Sequence, residues 1–121
     1  MTNIIAIVLS AIIQVESHNG LDSRHGDNGR AVGPYQMWVC AVDEANRIEQ
    51  IYARKFKRKA RHWHYSDRHS LKKSRAMCEL TMIWHYRRGI TDTVKLCCRW
   101  RNPYSLDHKE YRRKIRKAVK L

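Results

Sequence analysis

The stretch Ile4–His18 reads IIAIVLSAIIQVESH and decides the fold, because an almost wholly apolar run leads directly into a carboxylate. Apolar residues that recur at three- and four-residue spacing predict a helix with one buried stripe. The carboxylate of Glu16 then lies at the end of a buried helix. We expect the stripe to consist of Ile4, Ile7, Val8, Ala11, Ile12 and Val15.

The same stretch lacks the features of a targeting segment. No Lys or Arg precedes Arg24, and no small-residue cleavage site stands before the polar segment. The run is also too short to cross a bilayer. We therefore expect it to belong to the folded domain, and no signal peptide is evident in the sequence.

Helical spacing dominates the rest of the chain, and strand patterns are few. Residues 17–37 are predicted to form a glycine-rich loop or a short β-ribbon, because turn signals recur there. The sequence therefore predicts one small, mainly α domain over residues 1–121. Four further helices are predicted, over about 42–61, 71–88, 92–101 and 108–119.

Short polar residues and glycine mark the ends of these helices. Gly89 is the predicted C-cap of the third helix, and Thr91 the predicted N-cap of the fourth. Asn102-Pro103 should end the fourth helix. Asp107 followed by Glu110 resembles a capping box for the last one.

Charge is distributed unevenly along the chain. The net charge is +14, but residues 1–50 carry −3 and residues 51–121 carry +17. The basic part favours polyanionic partners: nucleic acid, anionic lipid or an acidic wall polymer. Charge alone does not choose among these partners.

The cysteines and histidines do not follow a metal-binding pattern. No CxxC pair occurs, so either the cysteines are small buried residues or Cys40 or Cys78 forms a disulfide with the Cys97-Cys98 pair. The histidines at 62, 64 and 69 fit no zinc spacing. We expect neither a metal nor a cofactor.

Three spaced motifs carry the functional information: Glu16-Ser17-His18-Asn19-Gly20, Gly26-Asp27-Asn28-Gly29 and Gly33-Pro34-Tyr35-Gln36-Met37. In this order they resemble the goose-type lysozymes and the soluble lytic transglycosylases. The segment Arg99–Pro103, followed by Tyr111–Ile115, is similar to phage and bacterial members of that superfamily. The resemblance spans most of the chain and implies a lysozyme-like α fold.

Two positions depart from the family pattern. Pro103-Tyr104 replaces the glycine pair that follows the family asparagine. Trp38 stands where goose-type enzymes have an aspartate, so this position cannot supply a base.

The resemblance implies a peptidoglycan muramidase that cleaves the β-1,4 bond between N-acetylmuramic acid and N-acetylglucosamine. Glu16 would be the general acid, because an apolar helix behind a carboxyl raises its pKa by desolvation. Ser17 and Gln36 would orient the carboxyl or an acetamido group. The other expected substrate-binding residues are His18, Tyr35, Trp38, Tyr86 and Asn102, with Trp84 and Trp100 as further aromatic candidates.

Asp27 separates two mechanisms. If it holds a water across the sugar from Glu16, the enzyme is an inverting hydrolase, whose carboxyl pairs stand roughly 6.5–9.5 Å apart. If Asp27 only supports the loop, the substrate's own 6-hydroxyl attacks and gives a 1,6-anhydro product, as in lytic transglycosylases. The Gly-Asp-x-Gly match favours hydrolysis.

The charge distribution supports a different class of protein. The chain would then be a non-catalytic cationic antibacterial module that binds nucleic acid or membranes. No recognition-helix or RNA-binding signature is present, so this interpretation ranks second. The enzyme interpretation predicts bacterial peptidoglycan as partner, nonspecific attraction to anionic wall polymers or membranes, a monomer, and action on the cell wall after secretion or phage delivery.

Overall fold

The computed structural model describes residues 2–22, 24–26, 29–100 and 108–120. These residues are mainly helical, as the sequence predicts, and they contain no strand. No helix in the described part of the chain has the length and apolarity needed to cross a membrane. The α-helices are α1 (Thr2–Ser17), α2 (Val39–Lys55), α3 (Leu71–Arg87), α4 (Thr93–Cys98) and α5 (His108–Val119), and a short 3₁₀ helix covers Tyr65–His69.

Helix α1 packs against three other helices, α3, α4 and α5. Its buried surface is therefore wider than the predicted stripe and includes Ile5 and Leu9 as well as Val8, Ala11 and Ile12. The prediction was wrong for Ile7, which is 45% exposed because it lies on the side away from these partners. Ile4 and Val15 are half-buried.

Helix α2 begins three residues before the predicted start and ends six before the predicted end. It stops at Lys55 because Lys57 adopts a left-handed conformation with φ of 52°. The N–H of Arg58 then bonds to the carbonyl of Ala53 at 2.9 Å, which is the closing bond of a Schellman motif. As a result Phe56, predicted to be on the buried face, lies beyond the helix and is 53% exposed.

The ends of α3 and α4 show how polar side chains set the helix limits. Ser70 caps α3 by accepting the N–H of Lys73, and Gly89 follows the helix with φ of 103°, as predicted for a C-cap. Thr91 was the wrong cap for α4, because Asp92 accepts the N–H of Lys95 at 2.9 Å.

Helix α4 ends at Cys98, three residues before its predicted end. The predicted break at Asn102-Pro103 and the predicted cap at Asp107 lie outside the described residues. Helix α5 packs on α1 and α4 with Tyr111 and Ile115 buried, in agreement with its predicted apolar face.

The loop between α1 and α2 contains two isolated antiparallel bridges rather than a strand. Gly26 pairs with Ala31, and Val32 pairs with Met37. Each bridge joins residues five positions apart, so the chain reverses twice before it enters α2. This matches the predicted glycine-rich loop and brings its two glycine motifs side by side.

Candidate active site

The end of α1 is fixed by Ser17, whose side chain is buried. Its hydroxyl donates to the carbonyl of Ile13 at 3.3 Å and accepts the N–H of Gly20 at 2.9 Å. The Ser17 carbonyl also accepts the N–H of Asp22 at 2.8 Å. Ser17 therefore ends the helix, and its hydroxyl bonds to the backbone on both sides of Glu16, at Ile13 and at Gly20.

Three consecutive left-handed residues turn the chain away from α1. His18, Asn19 and Gly20 have φ of 48°, 61° and 89°. His18 is exposed, and its side chain lines a groove between the end of α1 and α5. Because the chain turns only after Ser17, Glu16 remains in the last turn of α1, where the regular helical backbone fixes its position.

Glu16 is half-buried. Burial raises the pKa of the Cys78 thiol well above its usual range, and the charges of Cys97 and Glu16 add to that rise. Cys78 is itself fully buried. The carboxyl of Glu16 is thus within electrostatic range of this buried thiol, while a part of the side chain remains accessible.

Gln36 joins the two glycine motifs of the loop. Its side-chain oxygen accepts the N–H of Gly26 at 3.1 Å, and its side-chain nitrogen donates to the carbonyl of Gly33 at 2.9 Å. A Cβ on Gly26 would lie 2.8 Å from that Gln36 oxygen. The structure therefore gives Gln36 a role in fixing the loop, where sequence reasoning had given it a role in orienting the acid or the substrate.

The loop is held from outside by Arg68, which sequence reasoning missed. Its guanidinium donates to the carbonyl of Met37 at 3.1 Å and, with the other edge, to the carbonyl of Tyr65 at 2.8 Å. Gly33 approaches the same segment so closely that a Cβ would lie 1.9 Å from the carbonyl oxygen of Arg68. Arg68 lies in a segment rich in basic residues, so the sequence gives no sign that its side chain binds the loop rather than facing solvent.

Tyr35 and Trp100 belong to the core, which corrects their predicted function as sugar-stacking residues. Tyr35 is 1% exposed, and burial raises its pKa to about 12. Trp100 is also buried and donates its indole N–H to the carbonyl of Tyr35 at 2.8 Å. Neither ring has an open face, so both stabilise the glycine-rich loop from beneath.

The remaining aromatic candidates lie at the start of α2 and in α3. Trp38 is half-buried at the N-cap of α2, with the guanidinium of Arg30 5.4 Å from its ring. Trp84 lies in α3, with the guanidinium groups of Arg88 and Arg47 4.2 Å and 5.5 Å from its ring. Tyr86, also in α3, is half-buried against the core. Asp27 and Asn102, the predicted base and the predicted site-lining amide, lie outside the described residues.

A buried carboxylate that sequence reasoning also missed is Glu49 of α2. Its carboxylate accepts hydrogen bonds from the side chains of Arg58 and Arg61, at distances from 2.7 to 3.1 Å. Burial alone would raise the pKa of Glu49, but these two arginines hold it well below its usual range. Glu49 is therefore a charged structural residue and not a proton donor.

None of the four cysteines, all of which lie in the described part of the chain, forms a disulfide, and two of them are inside the protein. Cys78 and Cys97 are buried, and burial raises the pKa of Cys97 to about 12. Such thiols are inert small core residues. Within the described residues no three His, Cys, Asp or Glu side chains converge to form a metal site.

Comparisons with protein-family models, with curated proteins and with solved structures gave no match.

Proposed function

We propose that the protein is a peptidoglycan-cleaving muramidase with a lysozyme-like α domain, and that Glu16 is its general acid. The observation that carries the proposal is the placement of Glu16. It is a half-buried carboxyl in the last turn of the central helix, followed by a glycine-rich loop whose two motifs are joined by Gln36.

Two features of this placement support a role as an acid. The charge of Glu16 reaches the buried thiol of Cys78, so the carboxyl lies within electrostatic range of the core. The C-terminal end of a helix also carries partial negative charge, which disfavours a second negative charge on Glu16. A carboxyl that keeps its proton near neutral pH can act as a general acid.

The proposed reaction transfers the proton of Glu16 to the glycosidic oxygen as the C1–O bond breaks. A water molecule attacks C1, and its proton passes to a base, for which Asp27 is the candidate in the sequence. The products are a new reducing end and the released 4-hydroxyl of the neighbouring sugar. Glu16 recovers its proton from solvent.

The direct test is Glu16→Gln, assayed by release of soluble fragments from purified bacterial peptidoglycan. General acid catalysis contributes about 10²–10⁴-fold, so we expect a loss of rate in that range. Glu44→Gln is the matched control, because Glu44 is a glutamate of α2 paired with Arg47 near the surface. Wild-type activity of Glu16→Gln would exclude Glu16 as the acid.

Mass spectrometry of the released fragments separates the two mechanisms. Reducing ends alone support water as the nucleophile, and 1,6-anhydro ends support attack by the sugar's own 6-hydroxyl. Glu16 is the proton donor in both cases. The fragments therefore decide between hydrolase and transglycosylase without affecting the proposal for Glu16.

One observation favours the cationic binding module as a second candidate function. Helix α5 buries Tyr111 and Ile115 and exposes a dense basic surface, with Lys109, Arg112, Arg113, Lys114, Arg116 and Lys117 all exposed. If Glu16→Gln kills bacteria as well as the wild type does, this surface and not the carboxyl carries the activity. If killing is lost together with wall cleavage, the enzyme interpretation stands.

A further inference from the structure

A polar pocket of about 680 Å³ lies between α4 and α5, and we name it the α4–α5 pocket. Four of its lining residues are basic and one is acidic. These charged residues are Asp92, Lys95, Arg99, His108 and Arg112. All five are exposed, so the pocket is open to ligands from solution.

The basic residues form two pairs, one on each wall of the pocket. Lys95 and Arg99 are four residues apart on α4 and its C-cap, and His108 and Arg112 are four residues apart on α5. Side chains at this spacing lie on the same helix face, which explains why both pairs line one space. Like charges at this spacing destabilise a helix, and a bound anion relieves the repulsion.

The pocket retains a positive charge. None of the ion pairs between described residues includes Lys95, Arg99 or Arg112. The carboxylate of Asp92 accepts the backbone N–H of Lys95 at 2.9 Å, so it caps α4. Three permanent cations and this one carboxylate leave a charge of +2. The field extends beyond the pocket: burial lowers the pKa of His85, and the charge of Arg99 lowers it further.

This chemistry favours a phosphate group as the ligand. A guanidinium presents a planar fork of N–H donors that binds two phosphate oxygens at once, and the pocket has two such groups, Arg99 and Arg112. A water molecule occupies about 30 Å³ of liquid volume. A pocket of about 680 Å³ therefore has room for a phosphate together with the group to which it is esterified.

The pocket lies away from Glu16. Helix α5 begins at the pocket and ends beside α1, where Lys117 and Ala118 line a groove together with His18. Lys117 follows His108 by nine positions, which corresponds to about 14 Å along the helix axis. A ligand in the α4–α5 pocket therefore does not occupy the candidate active site.

We propose that the α4–α5 pocket is a binding site for a phosphate ester. The guanidinium groups of Arg99 and Arg112 hold the phosphate oxygens from opposite walls, and Lys95 adds a third positive charge. The esterified group extends into the remaining volume. The proposal does not depend on cleavage of peptidoglycan, because binding in the pocket can be measured in a protein that cleaves nothing.

The test is isothermal titration calorimetry with glycerol phosphate at about 0.15 M salt, where exposed charges more than about 8 Å apart are largely screened. The variant is Arg99→Gln/Arg112→Gln. One charge-assisted hydrogen bond can supply about a tenfold difference in Kd, so we expect Kd to rise at least about tenfold. No binding by the wild type, or equal Kd values for the two proteins, overturns the proposal.

Arg54→Gln/Arg116→Gln is the matched control, since it also removes two exposed arginines, neither of which lines the pocket. It should keep the wild-type Kd, and an equal loss of binding in this control overturns the proposal. Malonate, which carries two carboxylates, tests the preference for phosphate. Equal affinity for malonate and glycerol phosphate overturns the assignment of the ligand.

Thermal melting without ligand separates a binding site from a purely structural cluster. Arg99→Gln/Arg112→Gln removes like charges, so it should melt no lower than the wild type. A lower melting temperature would show that the two arginines stabilise the fold and would overturn the proposal.

Two sources of the phosphate ester remain to be distinguished by experiment. Phosphatidylglycerol vesicles present the group as a lipid headgroup, and glycerol phosphate presents it in solution. Co-sedimentation with vesicles that the pocket variant loses and the control retains supports the pocket with a lipid as ligand. Binding of glycerol phosphate alone supports the pocket with a soluble ligand. Binding of neither overturns the proposal.

Discussion

Gly33 is the residue at which the glycine-rich loop meets the rest of the protein. It adopts φ of 81°, and its Cα faces the backbone of Arg68 without room for a side chain. Both constraints apply at one position, because a left-handed residue and a close backbone approach each favour glycine. This contact joins the loop to the 3₁₀ helix that contains Arg68.

We expect Gly33→Ala to lower the free energy of unfolding by more than about 2 kcal/mol, because the left-handed conformation and the clash with Arg68 add together. Gly29→Ala is a matched control. Gly29 has φ of 85°, but nothing lies within 4 Å of the point that a Cβ would occupy, so only the backbone cost of about 1 kcal/mol applies. Urea denaturation of both variants measures the difference, and equal losses would show that the Arg68 contact is not rigid.

A substitution at Gln36 tests whether the ordered conformation of the loop matters for activity as well as for stability. Gln36→Leu removes both side-chain hydrogen bonds while keeping a similar volume, and each net hydrogen bond contributes about 1 kcal/mol. We expect a loss of stability of about 1–2 kcal/mol together with a fall in kcat on peptidoglycan, since the loop should no longer hold substrate in place over Glu16. If Gln36→Leu is less stable but fully active, Gln36 has a purely structural function.

At the scale of elements, one carboxylate of α2 holds the basic run that follows the helix. Glu49 accepts the backbone N–H of Arg61 at 2.8 Å in addition to the two guanidinium groups. These bonds join α2 to residues 9 and 12 positions later. Because of these bonds, the basic residues that follow Lys55 fold back along α2 and do not extend the helix.

We expect Glu49→Gln to lower the stability at neutral pH by about 3 kcal/mol, the lower end for breaking a buried pair, because both arginines remain half-exposed and solvated. The folded pKa of Glu49 is below its unfolded value of 4.5, so the stabilisation is complete above that value and is lost as the pH falls below it. Wild-type stability should therefore decline in acid more steeply than that of Glu49→Gln. Urea midpoints from pH 3 to 7 measure this, with Glu44→Gln as an exposed control; parallel curves would contradict the assignment.

The helices could be predicted from the sequence because their apolar spacing is local information. Tyr111 and Ile115 illustrate this, since a four-residue step is enough to place both on a buried face. The supports of the candidate site could not be predicted, because they depend on contacts between distant residues. Arg68 reaches back 31 residues to Met37, and Trp100 reaches back 65 residues to Tyr35. Periodic patterns in the sequence do not reveal such long-range pairs. From the sequence alone, Arg68 resembles any charged surface residue and Trp100 resembles any core residue.

At the scale of the whole molecule, the charge is segregated along the chain. Residues 1–50, which include Glu16 and the glycine-rich loop, carry −3, and residues 51–121 carry +17. The exposed surface of α5 contributes much of the positive charge. In the proposed function, such a distribution would draw the protein to a polyanionic wall through its long-range field, whereas cleavage would depend on one local carboxyl.

We therefore expect wall binding and wall cleavage to respond to different changes. Glu16→Gln should bind purified anionic cell walls as tightly as the wild type at low salt, because the substitution leaves the charge of +17 on residues 51–121 unchanged. Binding should weaken steeply as salt rises from about 0.1 to 1 M, since the Debye length falls from about 10 Å to about 3 Å. Co-sedimentation across this range measures binding. Salt-independent binding would show that apolar or sugar contacts dominate, and the cationic surface would then have no part in reaching the wall.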